Sequence, residues 1–100
     1  MNTHNLLSAL AQTARRDPAI ERAVLFGSRA RGEHSEQSDY DVAVYGALTS
    51  AEKTALRLFC TEELPTLHKI DLIFMDERLS APLKQSIQRE GIPFYDKDAE

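Results

Sequence analysis

The stretch from Arg22 to Tyr45 constrains this chain most. An apolar run over 22–26 stops at Gly27-Ser28, Arg29-Ala30-Arg31 leaves room for one helical turn, and a polar loop covers 32–38 before a second apolar run from Tyr40 to Tyr45. Short β-prone runs bounded by Gly and polar residues read as strands. The order is therefore strand, tight turn, short helix, loop, strand. On either side the periodicity is helical. Leu6, Leu7, Leu10, Ala11 and Ala14 repeat behind a cap at Thr3 and stop at Asp17-Pro18. Thr49 and Glu52 form a capping box for a helix in which Ala55, Leu56, Phe59 and Cys60 share a face until Pro65. A third strand spans 69–75, and Ser80 caps a last helix that tolerates Pro82 in its first turn and ends at Gly91. Residues 92–95 make an edge strand, where Pro93 is permitted. This predicts an α/β (α+β) chain of about four strands and four helices, with a small mixed sheet covered mainly on one side. A length of 100 residues, 42% of them apolar, sustains one core, so 1–100 is expected to be a single domain.

Three carboxylates fall in or beside these strands: Asp39, Asp41 and Asp71. A strand rises about 3.3 Å per residue and alternates faces, so Asp39 and Asp41 point the same way roughly 6.6 Å apart. If the second and third strands are neighbours, about 4.8 Å apart, Asp71 joins them. Like charges so close raise each other's pKa values and are costly without cations. Hard oxygen donors in this pattern favour Mg²⁺ or Mn²⁺, and two ions fit the spacing.

Asp-x-Asp by itself is a weak signal, because Asp96-Lys97-Asp98 repeats it near the C-terminus, where a solvated tail explains it. The surroundings separate the two copies. Gly27-Ser28 follows an apolar strand directly, ten residues intervene, and Asp39-Tyr40-Asp41 opens the next strand. Glycine admits close backbone approach, and the N–H groups of the following turn with the Ser28 hydroxyl can hold phosphate oxygens. Gly27 and Gly32 have P-loop spacing, but Glu33-His34 stand where Lys and Ser/Thr are required, which excludes that motif. Arg29 and Arg31 flank the cradle; Arg29 is the stronger candidate for a triphosphate contact, while Arg31 reads equally well as a surface or salt-bridge residue. Tyr40 should face the core. His4, His34 and His68 lack metal-ligand spacing and read as ordinary surface or loop residues, and Ser35, Glu36 and Ser38 as a solvated loop.

Several function classes are disfavoured. No apolar run approaches the roughly 20 residues that cross a bilayer, and no leader pattern opens the chain, so a cytoplasmic protein is expected. The single Cys60 offers neither a disulfide nor a zinc cluster and reads as a core residue. A net charge of −4 without a long basic stretch argues against non-specific nucleic-acid binding and suits a partner with a basic surface.

The pattern Gly27-Ser28, ten residues, Asp39-x-Asp41 and a later strand Asp71 resembles the DNA polymerase β-type nucleotidyltransferase superfamily. The wording Gly27-Ser28-Arg29-Ala30-Arg31-Gly32, the short length and the ending Gly91-Ile92-Pro93-Phe94-Tyr95 resemble its minimal nucleotidyltransferases, the MNT proteins. The resemblance implies a palm-like nucleotidyltransferase fold. It implies that Asp39 and Asp41 ligate two Mg²⁺ ions, that Asp71 completes one metal site and helps activate the acceptor hydroxyl, and that Gly27 and Ser28 bind the triphosphate of ATP. It also implies a partner, a helical HEPN ribonuclease toxin neutralised by transfer of AMP to a tyrosine hydroxyl. Two rivals stand beside this expectation: an antitoxin that works by binding alone, and a transferase for a small molecule such as an aminoglycoside. The latter class usually carries a further domain for its acceptor, for which this length leaves no room.

Overall fold

A computed structural model describes residues 1–99; Glu100, the last residue of the expected 1–100 unit, lies outside the described residues. Four helices and four strands alternate: α1 (Thr3–Arg15), β1 (Arg22–Phe26), α2 (Ser28–Arg31), β2 (Tyr40–Tyr45), α3 (Ser50–Leu58), β3 (Ile70–Phe74), α4 (Ala81–Glu90) and β4 (Ile92–Asp96). The strands form one sheet in the order β3-β2-β1-β4. β1 pairs antiparallel with β2 and β4, while β2 and β3 run parallel, so the sheet is mixed as expected.

One face carries the larger core. Leu6, Leu10, Ala11 and Ala14 of α1 pack with Leu56 and Cys60 against Ala23, Leu25, Tyr40, Val42, Val44 and Phe74. Burial pushes the Cys60 thiol up to about 11, as suits an inert core residue. The other face has a smaller apolar patch, Val24, Phe26, Ala43 and Ile87, and α4 covers it. The rest of that face is where Asp41 and Asp71 stand.

Local details correct the sequence reading at several points. Asn2, not Thr3, caps α1: its side chain accepts the Asn5 N–H at 2.8 Å. Thr3 is drawn instead into a 2.7 Å hydroxyl–hydroxyl bond with Tyr40. The capping box at Thr49 and Glu52 is present, but the helix does not run regularly to Pro65. It widens into a π-helical turn over Phe59–Glu63, with the Leu64 N–H reaching the Phe59 carbonyl at 3.1 Å. Ala55 is exposed, not part of the core face. β3 is two residues shorter than the expected 69–75.

Candidate active site

The site is built where β1 ends and β2 and β3 begin. In the parallel pairing of β2 with β3, Asp41 lies directly across from Asp71. On its other side Asp41 pairs with Phe26, the last residue of β1. The chain then turns at Gly27, whose φ of 76° and ψ of −156° belong to a region that strains any residue with a Cβ. Space makes the same demand, since a Cβ at Gly27 would overlap the Asp41 carboxylate, with Cγ 3.1 Å away. The backbone that opens α2 therefore rests against Asp41. Ser28 begins α2 directly beside this contact.

Electrostatics follow from this crowding. Burial raises the Asp41 carboxyl above the ordinary aspartate range, and the charges of Asp71 and Asp39 push it further. Arg31 and Lys69 pull it back. Lys69 Nζ stands 3.3 Å from Asp71 Oδ1, and the Asp71 side chain is 39% exposed. Arg31 is held by Glu33 at 3.0 Å and by Glu90, the last residue of α4, at 2.9 Å. The Arg31–Glu90 ion pair thus joins the end of α2 to the end of α4.

The structure brings Gly27, Ser28, Asp39, Asp41 and Asp71 to one end of the sheet. Arg29 is turned elsewhere, with its guanidinium on the carbonyls of loop 35–38 and over the Tyr40 ring. Tyr40 is buried at 2% exposure, as its strand position predicts. Glu90 and Lys69 were not singled out from the sequence. The alternation of β3 places Lys69 on the face of Asp71, but Glu90 is 59 residues from Arg31 and gives no local signal.

Among the described residues no trio of His, Cys, Asp or Glu is drawn into a ready metal cage. Donor type and charge nevertheless fit a hard divalent cation. Two carboxylates are paired across neighbouring strands, a third is near enough to act on the same proton equilibrium, and burial first, then repulsion that a cation would relieve, raises the Asp41 carboxyl. No helix among the described residues is long and apolar enough to cross a membrane.

Solved structures share this fold. A toxin–antitoxin structure with AMP-PNP superposes with a TM-score of 0.72 at 23% identity, covering 98% of this chain and 77% of that one. A structure of the tri-AMPylated Shewanella oneidensis HEPN toxin in complex with MNT antitoxin matches with a TM-score of 0.59 at 21% identity, covering 95% and 71%. The toxin–antitoxin MntA-HepT does so with a TM-score of 0.59 at 22% identity, covering 95% and 74%. No curated protein matches the chain. The family described as polymerase beta, nucleotidyltransferase matches residues 8–100, nearly the whole sequence and all of the strands that hold the carboxylates. This chain belongs to the polymerase beta nucleotidyltransferase family.

Proposed function

We propose that the protein is a metal-dependent nucleotidyltransferase that moves AMP from ATP to a hydroxyl of a HEPN-type partner protein, and thereby acts as its antitoxin in the cytoplasm. The observation that carries this reading is the contact between the Gly27 backbone and the Asp41 carboxylate, with Asp71 paired on the far side of Asp41. In this reading the Gly27 turn is the phosphate cradle and the carboxylates beside it are the cation site. The fold is shared with toxin–antitoxin structures, one described with AMP-PNP and one with an AMPylated HEPN toxin, which supports the choice of nucleotide and partner.

In this reading Asp39, Asp41 and Asp71 hold two Mg²⁺ ions, which when bound neutralise charge on the attacking and leaving oxygens. Gly27 lets the backbone approach the triphosphate, and Ser28 donates its hydroxyl to a phosphate oxygen. Arg31, whose charge pulls the Asp41 carboxyl down, is assigned the anion contact that the spacing suggested for Arg29, and would exchange its partners Glu33 and Glu90 for it. Asp71, whose side chain is partly exposed, takes the proton of the acceptor hydroxyl. The acceptor oxygen bonds to the α-phosphorus as pyrophosphate departs. In this reading the partner supplies a wall beside the acceptor and fixes the geometry of attack.

Intact-mass spectrometry of the co-purified partner after incubation with ATP and Mg²⁺ tests the proposal. A gain of one or more AMP units is expected, absent with Asp39→Asn/Asp41→Asn. Full neutralisation by that double variant with no mass gain would establish instead an antitoxin that acts by binding alone.

A further inference from the structure

Asp39 is the one carboxylate of the cluster that the sheet does not hold. The pairing of β2 with β3 begins at Tyr40, and that with β1 reaches only to Asp41, so Asp39 lies just outside the ladder at the end of an exposed loop. Its neighbours are nonetheless fixed, and one side chain grips both. Arg29 donates from Nε and Nη2 to the Ser38 carbonyl at 3.1 and 3.0 Å, which belongs to the peptide joining Ser38 to Asp39. Nη2 also lies 3.4 Å and 3.3 Å from the Ser35 and Glu36 carbonyls. The same guanidinium stacks 4.0 Å from the Tyr40 ring centroid. Tyr40 is itself anchored, through the Thr3 hydroxyl at 2.7 Å, the edge of His68 at 5.5 Å and the Lys69 carbonyl, which accepts its N–H at 3.0 Å.

We propose that Arg29 is a positioning residue: by holding the peptide before Asp39 and the ring after it, Arg29 keeps the Asp39 carboxylate aligned with Asp41 for cation binding, without touching cation or nucleotide. The inference rests on the reading that Asp39 and Asp41 take the cation. Arg29 follows Ser28 in α2, so the same side chain ties the phosphate cradle to the first carboxylate. A planar fork of donors over an aromatic ring is specific to arginine. Lysine keeps the charge but neither the fork nor the stacking plane.

The test compares Arg29→Lys and Arg29→Gln with wild type in the full chain. Hydrogen exchange in the metal-free protein is expected to quicken over residues 35–40 in both variants while β1 and residues 41–45 of β2 keep their protection. Mn²⁺ affinity without nucleotide, read by electron paramagnetic resonance of free Mn²⁺, is expected to fall by about tenfold or more, the usual effect of removing a partner that orients a metal ligand. Unchanged exchange over 35–40, or wild-type Mn²⁺ affinity in Arg29→Lys with only the KM for ATP raised, would overturn the proposal. Asp39→Asn/Asp41→Asn separates the two levels. If that double variant binds Mn²⁺ like wild type, the cation-site reading has failed, and the proposal that rests on it is overturned as well.

Discussion

The two Asp-x-Asp segments of this chain share a spacing and little else. Asp41 is flanked in the sheet by Asp71 on one side and by Phe26 and the Gly27 turn on the other. Asp96 ends the edge strand β4, paired only with Arg22, and Asp98 lies in a 3₁₀ turn where its N–H folds back on Asp96 Oδ1 at 2.9 Å. Lys97, between them, donates to the Pro18 carbonyl at 2.9 Å. One segment opens a central strand beside a second carboxylate and a close glycine backbone; the other satisfies its own turn. A carboxylate pair becomes a candidate cation site through what the neighbouring strands bring to it.

That contrast is open to direct attack. The largest effect is expected from Asp39→Asn/Asp41→Asn, which should lower AMP transfer on the order of 10³-fold, a loss of about 4 kcal/mol of transition-state stabilisation. Asp96→Asn/Asp98→Asn should leave initial rates within about twofold, in the range of an ordinary surface change; a comparable loss there would erase the distinction. Ser28→Ala should cost on the order of 10²-fold in rate with little change in melting temperature, since its hydroxyl is assigned to phosphate and not to the core. Unfolding with unchanged activity per folded molecule would make Ser28 structural.

Gly27→Ala introduces a Cβ into the Asp41 carboxylate at a backbone conformation reserved for glycine. A destabilisation of about 1–3 kcal/mol is expected, visible as a lower melting temperature, together with weaker nucleotide binding. The smallest effect concerns pH. Because the Asp41 carboxyl is raised in the folded protein, its protonated form is favoured there. The stability it contributes is present below the ordinary aspartate range and is lost as pH rises through the raised value. The metal-free protein should therefore lose some stability on going from acid to neutral pH, and Asp41→Asn should remove that part of the slope. Mg²⁺ affinity should run the opposite way, rising with pH as the carboxylate forms. Thermal melts and Mg²⁺ titrations across that range check both signs.

Much of this was legible in the sequence, for physical reasons. Alternation in β2 and β3 sent Tyr40 to the core and Asp41 with Asp71 to one face, because a strand permits only two directions for a side chain. The break at Gly27-Ser28 marked the close approach, because few residues tolerate that backbone. Long-range partners were not legible. Arg29 and Arg31 differ by two positions on a single helical turn, and only the folded chain shows one on loop 35–38 and the other tied to Glu90. The π-helical turn before Pro65 had no local signature either, since Phe59 to Glu63 carry ordinary helical residues. The cap at Asn2 was missed because Asn and Thr stand side by side and both can serve.

Calorimetry of AMP-PNP binding in the presence of Mg²⁺ tests the central claim most directly. Wild type and Asp96→Asn/Asp98→Asn should bind with equal affinity, and Asp39→Asn/Asp41→Asn should show no Mg²⁺-dependent binding. Equal Mg²⁺-dependent affinity in all three proteins would contradict the assignment of the site to Asp39, Asp41 and Asp71.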